Sequence, residues 1–262
     1  MTTIEMKKLS SNNIVSPKGF TAAGVHCGIK KEKKDLAILV SEVPASVAGV
    51  FTTNAVQAAP LKVTKEVVYN SQKMQAIIVN SGNANACTGK QGVADAYEMQ
   101  ALAAAKLGIE PYLVGVASTG VIGEIMNMEP VVKGVEMLNP NNDLESGMNF
   151  AQAILTTDTV MKNTTYATVI DGKEVLVSGT AKGSGMIEPN MATMLGFITT
   201  DANIESDELQ KALSEITNLT FNAITVDGDT STNDTVVVLA NGLAGNEPLT
   251  PAHPEWDNFY TA

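Results

Sequence analysis

Residues 182–199 change character within a few positions. Lys182-Gly183-Ser184-Gly185 and Pro189-Asn190 make a loop, because glycines take backbone angles that other residues avoid and Pro-Asn is turn chemistry. Residues 193–199 are a short apolar run of the kind that forms a buried strand. A fold that accepts both halves must bring a lysine-bearing loop against the head of a core strand. Thr193 stands at the junction, behind the small Ala192. On residue type alone, a threonine there is a strand residue whose hydroxyl is satisfied by backbone.

The rest of the chain alternates in the same way. Strand patterns fall at 36–40 and 48–53, separated by a proline-bearing turn, and at 75–80, 112–117, 164–170, 174–180, 221–226 and 235–240. Asp171-Gly172 between two of them is a hairpin signal. Helical patterns cover 92–106, with Ala96, Met99, Ala103 and Leu107 on one face and a stop at Gly108, then 130–138 and 148–155. A further helix opens with Ser206 as N-cap and Asp207 and Glu208 in its first turn. Lys30, Lys31, Lys33 and Lys34 read as a solvated turn.

Net charge of −11 and a pI near 4.6 argue against nucleic-acid and anionic-membrane partners, which reward basic patches. All 17 basic residues are lysines. A carboxylate ligand must therefore meet lysine point charges, hydroxyls or backbone N–H groups and not a guanidinium fork. Cys27 and Cys87 have neither metal nor redox spacing and read as small core hydrophobes of a reducing compartment. His26 reads as structural and His253, between Pro251 and Pro254, as solvated. No leader pattern or membrane-length apolar run is present, which points to the cytoplasm. The acidic run 227–234 fails as a calcium loop, since Thr232 replaces the required glycine and Val238 the bidentate glutamate. No phosphate-binding loop or dinucleotide fingerprint occurs.

Three loops follow strands or helices at places suited to a site. Residues 81–89 could present backbone N–H groups to an anion or only turn the chain, with equal weight. Ser118-Thr119-Gly120 is by itself more often a turn, and Thr156 a polar helix exit.

The strings KGSGMIEPNMATMLGFITTDANI, GFTAAGVHCGIK, VAGVFTTN, NSGNANACTG, ILTTDT and DGDTSTNDT together resemble the bifunctional ornithine acetyltransferase/N-acetylglutamate synthase family of arginine biosynthesis. The resemblance covers nearly the whole chain. It implies an α+β fold, a sandwich of β-sheets covered by helices, of the self-processing N-terminal-threonine-nucleophile type. It also implies cleavage of the Ala192-Thr193 bond, giving an alpha fragment 1–192 and the beginning of a beta fragment at 193–262, with the fragments paired into a heterotetramer. Family members continue well beyond Ala262 and supply further strands and a substrate ligand there, so a piece of a longer product and a shortened protein both stay open.

The implied chemistry suits the residues. A hydroxyl needs an adjacent base to act as nucleophile. A freed α-amine titrates at about 7.7–8.0, so the new N-terminus of Thr193 can deprotonate its own hydroxyl. Thr119, through its hydroxyl, and Gly120, through its N–H, would hold the oxyanion. Thr156, Lys182 and Thr193 would contact substrate. The implied cycle moves acetyl from N2-acetylornithine to glutamate through an acetyl-Thr193 ester, with acetyl-CoA as a further donor in bifunctional members, and needs no metal or organic cofactor. A related self-processing peptidase and a truncated non-catalytic subunit are the alternative readings.

Overall fold

The computed structural model describes residues 6–185, 194–224 and 231–262. In chain order the strands are β1 (Met6–Leu9), β2 (Phe20–Val25), β3 (Leu36–Phe51), β4 (Lys73–Asn83), β5 (Val114–Val121), β6 (Lys162–Ile170), β7 (Lys173–Lys182), β8 (Leu195–Thr200) and β9 (Thr235–Ala240). The helices are α1 (Ala59–Glu66), α2 (Gly89–Leu107), α3 (Met128–Met137), α4 (Leu144–Ala153), α5 (Ser206–Leu219) and α6 (Trp256–Thr261).

The described strands make one sheet in the order β1-β6-β7-β8-β9-β3-β4-β5, with β2 also on β3. β4 with β5 and β8 with β9 are parallel; the other pairs are antiparallel. β3 joins two halves. Its first part pairs with β2 and β4, while Ser46–Phe51 pairs with β9. The proline-bearing turn expected at 41–47 is instead an irregularity inside this one strand, where register shifts between Val40 and Ala45. Pro44 is exposed at that point, where a missing N–H costs no ladder bond.

Packing follows from the alternation of side chains along β3. Leu39 and Val47 join Ile77, Val79, Phe197, Val237 and Leu239 in an inner core fed by both halves of the sheet. Leu36 and Ile38 face outward under Val63, Met99, Val131 and Val135 of α1, α2 and α3. Ala48 faces the other outer layer with Val236 and Val238, covered by Leu209 and Leu213 of α5 and Phe259 of α6. Helices thus cover both outer faces, as the α+β sandwich reading expects. Phe150 of α4 and Phe197 of β8 meet edge to face at 5.4 Å in the inner core, a geometry that adds about 1 kcal/mol to area burial.

β5 is an edge strand, and side chains close its edge. The Thr64 hydroxyl donates to the Val116 carbonyl (2.6 Å) and accepts the Val116 N–H (2.8 Å), while the Gln100 amide donates to the Val114 carbonyl (2.8 Å). This holds in place the strand that carries Thr119.

Several local expectations change. Ser206 is the first helical residue and caps nothing; its hydroxyl donates to the Gln72 carbonyl and accepts the Val47 N–H, fastening α5 to the sheet. Phe221–Ala223 is a 3-10 turn, not a strand. β1, in which Lys7 and Lys8 leave no apolar run to read as a strand, pairs with β6. The hairpin holds: Asp171 and Gly172 have φ of 52° and 70°, the mirror-image turn that matches strand twist. Gly108 ends α2 in the left-handed conformation.

Candidate active site

The parallel pair β4–β5 sets Ser81 beside Thr119 and Gly82 beside Gly120. Below them lies a buried polar network. The Ser118 hydroxyl donates to Asn80 Oδ1 (2.5 Å), and Asn80 Nδ2 donates to the Asn83 carbonyl (2.8 Å). Asn233, just before β9, donates through Nδ2 to the carbonyls of Ala84 (2.6 Å) and Ser118 (2.8 Å). One amide therefore ties the loop after β4, strand β5 and the entry to β9 together.

Gly120 has φ of 136°, and a Cβ there would lie 2.3 Å from the Gly82 carbonyl carbon and 2.6 Å from Asn83 N. Only glycine fits so close a crossing. Thr119 is buried, and among the described residues its hydroxyl has no hydrogen-bond partner.

Thr119, Gly120, Thr156, Lys182, Lys30 and Asn233 line one cavity of about 500 Å³. The structure thus gathers Thr119, Gly120, Thr156 and Lys182, singled out on three separate segments. Ala192 and Thr193 lie outside the described residues. Met194, next in the chain to Thr193, donates its N–H to Asp234 Oδ1 (2.6 Å) and accepts the Thr235 N–H (3.1 Å), while Leu195 pairs with Lys182 across the sheet.

Lys182 is 3% exposed, and its Nζ makes no hydrogen bond among the described residues. Burial pulls its ammonium down to about 8, against the opposing pull of Asp158 and Asp234. Burial pushes the Asp234 carboxyl up to about 7, opposed by the Met194 N–H and by Lys182. Asp158 goes the other way. Burial alone would raise it, but Lys162 (2.6 Å) and the Gly183 N–H (2.9 Å) on its Oδ1 hold it below the usual carboxylate range. Asp158 and Asp234 thus attract Lys182 through space while each spends one oxygen on another donor, and Lys182 itself lines the cavity.

Three sequence readings are corrected here. Lys30 is half-buried in the cavity wall and not part of a solvated turn. Cys87 is exposed and not a core residue, whereas Cys27 is half-buried and packs against the outer core, with burial and Asp35 pushing its thiol up to about 12. His253 is not solvated: its Nδ1 accepts the Glu255 N–H (3.1 Å) and its Nε2 lies 3.2 Å from Asp171. Among the described residues, Asp171, His253 and Glu255 are the group closest to metal-ligand geometry. An Nδ1 that accepts a backbone N–H leaves the proton on Nε2, and the Glu255 carboxylate already takes the Asp171 N–H (2.6 Å), so these donors are spent on one another. Asp234, Asn233 and Asn80 were not identified individually. The signal was a polar residue flanking an apolar run, which marks a loop as readily as a site.

The α+β architecture, an inner core between two halves of the sheet with helices over both outer faces, is of the class that Ntn hydrolase folds share. The structure described as an L-aminopeptidase D-Ala-esterase/amidase from Ochrobactrum anthropi, a variant of the Ntn hydrolase fold, has a TM-score of 0.52 at 9% identity, over 90% of this chain and 75% of that one, and so shares the fold alone. Residues 21–262 match the ArgJ family, and the chain belongs to it. The arginine biosynthesis bifunctional protein ArgJ of Halalkalibacterium halodurans is 58% identical over 99% of this chain and 63% of its own length. This chain thus spans less than two thirds of that relative. The crystal structure of ornithine acetyltransferase complexed with ornithine, from Mycobacterium tuberculosis, is similar at 35% identity and TM-score 0.65, over 71% of this chain and 98% of that one. No described helix is long and apolar enough to cross a membrane.

Proposed function

We propose that the protein, with whatever sequence completes it, transfers acetyl from N2-acetylornithine to glutamate, and that Thr193 is the nucleophile. The observation that carries this is the convergence on one cavity of the Thr119–Gly120 pair and the Lys182 ammonium, with Met194, covalently next to Thr193, fastened beside them. The ornithine complex of the mycobacterial relative supports the donor, and the name of the bacillar relative supports the pathway.

In this reading the chain cleaves itself before Thr193, freeing the amine that serves as base. The Thr193 hydroxyl oxygen attacks the acetyl carbonyl carbon as its proton passes to the amine. The oxyanion is held by the Thr119 hydroxyl and the Gly120 N–H. The C–N bond breaks, the proton goes to the departing ornithine nitrogen, and an acetyl-threonine ester remains. The glutamate amine then attacks that ester and restores the hydroxyl. Lys182 and Thr156 hold the substrate. The share of this chain that aligns with nearly all of the mycobacterial chain is close to the share that residues 1–192 make up, which favours a chain boundary there. The same reading carries a heterotetramer of alpha and beta fragments and a cytoplasmic site of action.

The test is transfer of isotopically labelled acetyl from N2-acetylornithine to glutamate, with mass mapping of acetylated peptides. The reading expects labelled N-acetylglutamate and, with glutamate withheld, one acetyl on the peptide that begins at Thr193. Acetyl-CoA in place of acetylornithine tests the second donor. Transfer without acetyl on Thr193 would remove the covalent route.

A further inference from the structure

Among the described residues, the cavity wall holds two charged side chains, Lys30 and Lys182, and no carboxylate. In a chain of net charge −11 that is a local inversion of sign. Lys30 is set there by a fixed turn. Asp35, with its side chain out of solvent, accepts the backbone N–H groups of Cys27 (2.7 Å), Gly28 (3.1 Å) and Lys30 (2.9 Å), and His26 Nδ1 lies 3.1 Å from the same carboxylate. A turn closed around a buried anion has little freedom to move its lysine.

The stem of Lys30 crosses Gly82, where a Cβ would come within 2.9 Å of Lys30 Cγ. Its Nζ donates to the Leu155 carbonyl at 3.0 Å. Two further N–H donors remain for a ligand. Three acids lie near the pair of lysines, and each spends oxygens on other donors: Asp35 on backbone N–H groups, Asp158 Oδ1 on Lys162 and the Gly183 N–H, and Asp234 Oδ1 on the Met194 N–H; Asp158 and Asp234 attract the Lys182 ammonium through space, and none of the three lines the cavity.

We propose that Lys30 determines specificity, forming with Lys182 a two-lysine site for a dicarboxylic amino acid in which Lys30 takes the second carboxylate. The proposal rests on the acetyl-acceptor reading above for its ligand and adds a residue to it. Two ammonium groups at separate points of one wall favour two separate carboxylates, whereas a monocarboxylate leaves one partly buried charge uncompensated. With no arginine in the chain, no single side chain offers a bidentate alternative.

The test is calorimetric binding of glutarate and of butyrate to the purified wild-type protein and to K30M, K30R and K31M at fixed salt, with circular dichroism to confirm folding. Lys31, exposed in the same turn, is the charge-matched control. Glutarate is expected to bind wild type more tightly than butyrate, to weaken about tenfold or more in K30M, to recover in part in K30R, and to change little in K31M. Butyrate, held by Lys182, should change less than about threefold in K30M. Equal loss in K30M and K31M, no loss in K30M, or no glutarate binding by wild type would each overturn the role of Lys30. Acetyl transfer measured in parallel on wild type separates the two ideas. Lys30-dependent glutarate binding without transfer would remove the reaction and keep the site; transfer with glutarate binding unchanged in K30M would do the reverse.

Discussion

Asp234 accepts the backbone N–H of Met194 through Oδ1 at 2.6 Å, and among the described residues its other oxygen is buried with no hydrogen-bond partner. The residue that follows Thr193 is thus anchored by a carboxylate that its surroundings only half satisfy. An aspartate of this kind trades stability for position, and the trade can be measured.

An unfolded aspartate titrates near 3.8, whereas burial pushes Asp234 up to about 7. Between those values the folded chain holds a proton that the unfolded chain has released, so this group's contribution is fullest below the lower value and declines as pH rises through the upper one. The decline is at most about 4 kcal/mol. Asp234→Asn keeps an acceptor for the Met194 N–H and has no charge to bury. Urea unfolding at pH 4 and pH 8 should show the variant close to wild type at pH 4 and more stable at pH 8. An equal pH dependence in both proteins would contradict this account.

Lys182→Met removes an ammonium that is desolvated and, among the described residues, makes no hydrogen bond. The fold should lose nothing, and its melting temperature should hold or rise, because the buried charge goes while the stem's packing stays. Substrate recognition should fall about a hundredfold or more in kcat/KM. Thermal melts and steady-state kinetics on one preparation separate the two effects. A large loss of stability would make Lys182 a structural residue.

Gly120→Ala and Thr119→Val should fail differently. The alanine Cβ meets Gly82 and Asn83 backbone at 2.3–2.6 Å, so β4 and β5 must part, at a cost of about 3 kcal/mol or more. Valine at 119 keeps the shape and removes a hydroxyl that, among the described residues, has no hydrogen-bond partner. That variant should stay within about 1 kcal/mol of wild type and lose about 10²–10³ in kcat. Denaturant melts with single-turnover acetylation distinguish them.

Asn233→Ala strands the Ala84 and Ser118 carbonyls, both served by its Nδ2. Each buried acceptor left unpaired costs about 1–3 kcal/mol, so a loss of about 2–4 kcal/mol is expected. Hydrogen exchange should quicken first in the residues after β4 and at the end of β5.

The sequence exposes elements whose local chemistry and tertiary fate agree. Thr235–Ala240 reads as a buried strand and is one, and Asp171-Gly172 turns the hairpin its side chains favour. Where long-range contacts decide, it falls silent. Lys30 looks solvated among Lys31, Lys33 and Lys34, and only the buried Asp35 carboxylate, collecting N–H groups from the turn, directs it inward. β3 reads as two strands because Pro44 interrupts the pattern, and the irregular register that absorbs it depends on β2 and β4. Residues 221–226 read as a strand from apolar content, but Phe221–Ala223 coils directly off the end of α5. Thr119, Thr156 and Lys182 read one by one in the sequence as ordinary polar residues at the ends of elements. Their convergence is a property of the sheet.

The most direct measurement is the intact mass of the purified protein with N-terminal sequencing, beside Thr193→Ala. The account predicts two fragments for wild type, the second beginning Thr193-Met194-Leu195, and a single uncut chain for the variant. A wild-type protein that is folded and whole, with Met1 as its one N-terminus, would contradict it: Thr193 would then have no amine to serve as its base.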